Sequence, residues 1–513
     1  MTTSLLHGGL VRTLVGTDTA DWVLIDGDRI AATGSAGDVP GADRRVDLDG
    51  MTLLPAFCDG HVHLPATGLY ETGLDFRGER SAGTILDAFR ARAEKDPGMV
   101  FGGNFEDPLD RPLSRLDLDA AVGERHALLA RADMHSCIVS TTLLGELDIA
   151  GLDGVDVDEN GGPTGYLREK AAATAWRWFD TNLPHEQAMI AIKAAVRRAY
   201  SKGVARVNEM HVVEWRGWEA MHALRDVALE VALDISPCIA VTDVESIKSM
   251  GLPRIGGDWF LDGSFGSHTA WLSEPYDPAP PPGSPPAGIA YRTDAEVRAF
   301  FTEAQAAGLQ VGVHAIGDAA IEQAISAWEA VARDVGLDAV RAIRHRIEHF
   351  ECATDDHIAR AARLGLAASV QPAFDRFWGG EDGLYAGRMG WERASVMNRF
   401  KSMLGAGLVV GAGSDSTVTP LDPFLQMASL REHHLESERL DALTALRLHT
   451  IGSHALTRSE DVVGTLAPGM RADLALVDHD PVAVDTESLL DTEVAGTWVA
   501  GVRVWPPEAA ESE

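Results

Sequence analysis

Two histidines stand two positions apart at the end of Pro55-Ala-Phe-Cys-Asp-Gly-His61-Val-His63. Side chains alternate along a strand, so His61 and His63 project to the same side. At the C-terminal mouth of a barrel, two neutral imidazoles so placed can share one zinc-like ion. A pair of hydrogen-bonded core histidines is the plainer reading of His-x-His taken alone. Three more apolar runs also end in a ligand type: Val311-Gly-Val-His314, Arg346-Ile-Glu-His349 and Gly411-Ala-Gly-Ser-Asp415. Singly, His314 and His349 fit as core residues and Asp415 as a helix cap; together, the strand ends point to one metal centre. The chemistry would be hydrolytic. A divalent cation lowers the pKa of water from about 16 to about 7, and Asp415 can accept that water's proton and return it to a departing nitrogen.

Such residues need a scaffold that brings strand ends together. Between 51 and 458, apolar strand-like runs alternate with amphipathic helical stretches, as successive β/α units do. The strands are expected at 52–57, 204–210, 231–239, 258–262, 310–314, 343–349, 366–370 and 408–413. Helices fit between them at 186–201 and at 319–335, the latter capped by Asp318. The pattern predicts an α/β fold, a (β/α)8 TIM-like barrel. Residues 69–174 are too long and varied for a loop and are expected to form an inserted subdomain after the first strand. The Pro-rich run 277–286 should be an extended loop. Segments 1–50 and 459–513 read as short strands, with Asp26-Gly27 a hairpin signal, and the two ends are expected to build one small β domain.

Composition narrows the partners. A formal charge of −33 disfavours nucleic acid and anionic membrane, whose recognition relies on Lys and Arg. No run is apolar for long enough to span a bilayer, and 1–14 lacks the pattern of a secretory signal, so the cytoplasm is the expected compartment. Cys58, Cys137, Cys238 and Cys352 are too scattered for a metal knuckle and read as buried thiols.

The chain carries the motifs DGHVH (59–63), DGSFGSHTA (262–270), HAIGDAA (314–320), IEH (347–349), GSDS (413–416) and GTLAPGMRADL (464–474). With them the chain resembles the amidohydrolase superfamily over nearly its whole length, and within it the YtcJ-like branch that includes N-substituted formamide deformylase. The resemblance implies a barrel flanked by a small β-sandwich made from both termini. His61, His63, His314 and His349 would be metal ligands, and Asp415 a ligand that also moves the proton. It implies one or two divalent ions, zinc first among them, and paired subunits. Many relatives carry, four residues before Asp-Gly-Ser, a lysine whose carbamylated side chain bridges two ions. Here that position is Asp258, and no lysine lies between Lys248 and Lys401. Bridging two ions, binding one or binding none are all open to Asp258. His268 and His135 are candidates to polarise the substrate carbonyl. Gly165-Tyr-Leu-Arg-Glu169 also resembles a segment of the family, and helix-surface charge fits Arg168 and Glu169 equally well. So does Glu432-His433-His434, as a solvated helix face. Among the tryptophans, Trp215, Trp218, Trp271, Trp378 and Trp391 divide between pocket and packing.

The expected reaction is hydrolysis of a non-peptide C–N bond in a small amide or N-acyl compound. A deaminase is the rival within the superfamily, although the position three residues after His314, where those enzymes place a glutamate, is Gly317. A non-catalytic barrel that binds a small molecule is the rival outside it.

Overall fold

The computed structural model describes residues 2–16, 19–95, 98–132, 134–281 and 284–507. Part of the Pro-rich run, Pro282 and Gly283, lies outside the described residues, as do Met1 and 508–513 at the ends of the terminal segments and Asp133 beside His135.

Eight parallel strands carry the site: β1 (Phe57–Val62), β2 (Val204–His211), β3 (Asp234–Ile239), β4 (Arg254–Ile255), β5 (Gln310–Ala315), β6 (Arg346–His349), β7 (Ala367–Val370) and β8 (Val409–Ala412). Pairing runs from β1 through β3 and from β4 through β8. The Gly256 amide donates to Ile239 O across the β3–β4 gap at 2.8 Å. At the other gap the Asp415 amide donates to His61 O at 2.8 Å and the His63 amide to Ser416 O at 3.0 Å. Hydrogen bonds therefore run round a ring of strands. Nearly every strand residue is buried, which is why these segments read as continuous apolar runs. Helices such as His185–Ser201, Asp294–Ala306 and Asp318–Val335 cover them. On the last, Ile321, Ala324, Ile325 and Trp328 face inward at helical spacing.

Two strand expectations need correcting. The run 52–57 contains parts of two strands: Thr52–Pro55 pairs with the terminal sheet, and the ring strand is Phe57–Val62. Both are apolar and buried, so side-chain periodicity could not divide them. Residues 258–262 form no strand; the fourth strand is Arg254–Ile255, and only Phe260 bridges to β5. The cause is Gly256-Gly257, with φ of 88° and 76°, which turns the chain out of the ladder. The cap expected of Asp318 is also absent. Gly317 precedes the helix, and the Asp318 carboxylate instead accepts from the Ser273 amide at 2.9 Å.

The chain ends meet in one eight-stranded sheet that joins Thr3–Arg12, Thr19–Asp26, Arg29–Gly34, Arg44–Asp47 and Thr52–Pro55 to Leu474–Val477, Val494–Val499 and Val502–Trp505. The N-terminal share thus runs past residue 50. Thr3–Arg12 pairs with Arg44–Asp47 through its first half and with Thr52–Pro55 through its second. It bends at Gly8, where φ is 84°, around a core that includes Leu6, Val23, Leu474 and Trp498. Between Leu74 and Arg168 a six-stranded sheet with helices Ala82–Lys95 and Arg115–Val122 packs its own interior, Phe89, Phe105 and Leu118 among it.

Candidate metal centre

Strand ends deliver the histidines, and second partners aim them. His61 Nδ1 meets Glu348 Oε2 at 3.0 Å, and that carboxylate also accepts two bonds of 2.8 Å from the Arg346 guanidinium. His63 Nδ1 meets Met210 O at 2.7 Å, and His349 Nδ1 meets Gln371 Oε1 at 2.8 Å. With each Nδ1 engaged, the Nε2 atoms of all three rings are left for the centre, which is how orienting groups fix a ligand's tautomer. Against the cost of burial, Arg346 and His61 bring Glu348 down to about 2, so its carboxylate stays charged.

Asp258 lies among these nitrogens. Its Oδ2 is 3.2 Å from His61 Nε2 and 3.0 Å from His63 Nε2, and its Oδ1 is 3.5 Å from His349 Nε2. Asp415 Oδ1 is 3.5 Å from His61 Nε2 and 3.2 Å from His63 Nε2. Ligands about 2.0–2.1 Å from a tetrahedral ion stand about 3.3 Å from one another, so these separations suit the edges of one coordination shell. His61 Nε2, His349 Nε2, Asp258 Oδ1 and Asp415 Oδ1 are all buried without a hydrogen-bond partner. Burial disfavours charge on His63, but Asp258 and Asp415 outweigh it and hold the imidazolium up to about 10. His61 is likewise held well above its ordinary range and Asp258 well below. Protons here balance buried carboxylates, the task a divalent cation would perform. The residues fit a metal.

The backbone is strained at the same place. His349 and Asp415 have φ of 71° and 49°, conformations unusual for residues other than glycine and concentrated at functional sites. His314 stands beside His349, ring centroids 4.4 Å apart, with Nδ1 3.3 Å from Asp262 Oδ1. Asp262 is itself pinned by the amides of Trp271, Ile316 and Gly317.

Above the centre opens a cavity of about 360 Å³, lined by His63, His314, His349, Asp258 and Asp415 and walled by aromatic side chains. That size suits a small molecule. His135 lines it, its Nδ1 3.2 Å from Glu169 Oε2. His268 does not; its ring packs against Tyr276 at 5.2 Å, although its loop neighbours Ser264, Phe265 and Gly266 do line the cavity. Of the tryptophans, Trp215 and Trp378 reach the cavity, whereas Trp218, Trp271 and Trp391 do not.

The amidohydrolase family model matches residues 44–505. The chain belongs to the amidohydrolase family. It is 28% identical over 545 residues to "Putative amidohydrolase YtcJ" of Bacillus subtilis (strain 168), covering 98% of this chain and 99% of that protein. With N-substituted formamide deformylase of Arthrobacter pascens it shares 27% identity over 554 residues, 96% of each chain. Among solved structures, an uncharacterised metal-dependent hydrolase from Pyrococcus horikoshii OT3 superposes with a TM-score of 0.78 at 25% identity, over 95% of this chain and 99% of the other.

Several residues of this amidohydrolase's site were left open or missed by the sequence reading. Of the two readings open for Glu169 the surface charge fails: it is half-buried, has φ of 45°, and meets both His135 and the Tyr291 hydroxyl, each at 3.2 Å. Its neighbour Arg168 does sit at the surface, paired with Asp156. Glu348 lay inside the IEH motif, but nothing in its spacing distinguished an orienting carboxylate from an ordinary strand residue. Glu432-His433-His434 is no solvated helix face either. The helix Pro423–Arg431 has ended, and His433 is fully buried against Asp375. Asp375, His433 and His434 lie close enough to suggest a metal group. However, His433 Nε2 donates to Asn398 O at 2.8 Å while its Nδ1 accepts from the Leu435 amide at 3.0 Å. Both nitrogens are spent on backbone, and the cluster is structural.

Proposed function

We propose that this amidohydrolase cleaves a non-peptide C–N bond of a linear amide or N-acyl compound at a divalent metal centre. The observation that carries the reading is the set of unpartnered, buried nitrogen and oxygen atoms from His61, His349, Asp258 and Asp415 at the floor of a small-molecule cavity. The name of the Arthrobacter relative supports the amide class. The scaffold read with it is a closed (β/α)8 barrel with a β-sandwich from both termini. His61, His63, Asp258 and Asp415 would hold one ion, and Asp258, His314 and His349 would hold a second. Such ions, zinc first among them, supply Lewis acidity and make water nucleophilic near neutral pH.

The chain's own residues do the rest. Asp415 takes a proton from the attacking water and delivers it to the departing nitrogen. His135, aligned by Glu169, reaches into the cavity to polarise the carbonyl oxygen. The substrate is a small molecule, and the cytoplasm, a homodimer and the lack of a nucleic-acid or membrane partner remain proposals alongside it. Among the described residues, no helix is long and apolar enough to cross a membrane.

Deamination is disfavoured by particular contacts. A Cβ on Gly317 would lie 1.9 Å from Trp271 O, so no acidic side chain fits there, and Asp318 is bound to Ser273 outside the cavity. The test is a panel of N-substituted formamides and acetamides with adenine and cytosine as controls. Amide turnover that chelator removes, that zinc restores and that Asp415→Asn lowers by about 10²–10⁴-fold supports the reading. Ammonia release from a nucleobase, or an active Asp415→Asn variant, contradicts it.

A further inference from the structure

Most charged side chains around the cavity have partners of opposite charge. Arg131 faces Asp107 at 3.5 Å, Arg216 is paired with Asp180 at 2.9 Å, and Glu106 with Arg80 at 2.9 Å. Asp258 and Asp415 face the histidines. Glu351 remains. It lines the cavity and is 3% exposed, and among the described residues no cationic side chain pairs with it. The Tyr385 hydroxyl stands against it, and Glu351 Oε2 is buried without a partner. His349 and Phe350, both with φ above 50°, turn the chain at the end of β6 just before this residue.

A carboxylate taken out of water without a partner is costly, and strained backbone that presents one to a cavity marks a ligand contact. The surroundings say which ligand. Phe374, Trp378, Tyr385 and Phe265 also line the cavity. Phe374 lies 4.8 Å from Trp378, and Tyr385 meets Trp378 at 6.4 Å and Phe265 at 5.2 Å, ring centre to ring centre. Aromatic faces beside a buried carboxylate attract an alkylammonium, through the ring quadrupole and the ion pair together.

We propose that Glu351 and these rings form a subsite for an ammonium group, so that the preferred substrate is an amide that also carries a free aliphatic amine. Assigning the cation to the substrate rests on the amide-hydrolase reading above; the subsite itself does not. Glu351 is thus a specificity residue and takes no part in the proton transfers.

Binding of 3-phenylpropylammonium and of its neutral counterpart 3-phenylpropan-1-ol to the zinc-loaded chain at pH 7, read by calorimetry, tests this. The cation should bind about tenfold tighter or more, and Glu351→Gln should bring the two within about twofold. Equal binding in the wild type overturns the proposal, as does a preference that survives Glu351→Gln, since the amine would then be held by zinc. Benzyltrimethylammonium, which cannot ligate zinc, gives a check that needs no variant: it should compete with 3-phenylpropylammonium, and failure to compete counts against the subsite. Cation binding without turnover of any amide would sink the hydrolase reading and leave the subsite standing. Turnover of neutral amides with no preference for the cation would do the reverse.

Discussion

Glu348 shows how much of the site depends on residues that never meet a substrate. It is fully buried, holds His61 through Nδ1 and neutralises Arg346. Glu348→Gln should therefore weaken zinc binding about 10–100-fold, as losses of orienting partners do. It should also lower unfolding stability by about 3 kcal/mol, because Arg346 is left buried with its charge unmatched. Chelator competition and guanidinium titration read the two effects; a variant with native zinc affinity would show that Glu348 does not orient His61. Such residues explain where sequence reading stops. His61, His63, His349 and Asp415 were legible because an imidazole or carboxylate closing an apolar run is an uncommon pattern. Glu348 and Glu351 were not, and Glu169 stayed undecided, because an isolated glutamate in sequence looks the same whether solvated or buried, and only tertiary contacts separate the cases. His268 stands outside the cavity lining while its neighbours Ser264, Phe265 and Gly266 are in it, because loop conformation, not spacing, decides whether a side chain enters a cavity.

At the scale of elements, the turn after β4 matters most. Gly256 has φ of 88°, and a Cβ there would come 2.1 Å from Gly312 O, a backbone atom of the neighbouring strand. Gly256→Ala cannot be absorbed by a side-chain adjustment, so the chain that leads to Asp258 must shift. The expected result is a stability loss of about 1–3 kcal/mol together with lost zinc, seen by denaturation and metal analysis on the same sample. A variant that is destabilised yet keeps its full metal complement would separate the turn from the site. The β/α alternation made this architecture legible, since parallel strands buried on both faces read as apolar runs. Boundaries were harder: Thr52–Pro55 and Phe57–Val62 are equally apolar and serve different sheets. The Gly-Gly turn likewise hid the fourth strand ahead of the segment expected to form it.

Across the whole molecule, several histidines are held neutral by burial away from the centre. His211 is pushed down to about 4 and His449 to about 3, and His345 and His454 lie well below their usual range. In the unfolded chain each would take up a proton from about pH 6.5 downward. Their contribution to stability is therefore complete above pH 6.5 and is lost as the pH falls through 6.5 toward 4, on the order of 3 kcal/mol for His211 alone. The share of His211 is read by difference with zinc in excess: His211→Gln should make the fall of the guanidinium midpoint below pH 6.5 shallower than in the wild type, and an equally steep fall contradicts this assignment. Zinc release on acidification acts in the same direction, because protons compete for His61, His63 and His349.

The two-ion centre turns on Asp258, whose two oxygens face different histidines, Oδ2 His61 and His63 and Oδ1 His349. Its most direct test is zinc content per chain, by elemental analysis of tag-free protein saturated with zinc and then desalted, for the wild type and for Asp258→Ala. Two equivalents in the wild type, falling to one or fewer in the variant, is the predicted result. One equivalent or none in the wild type, or a variant that still holds two, would contradict a two-ion centre joined through this carboxylate.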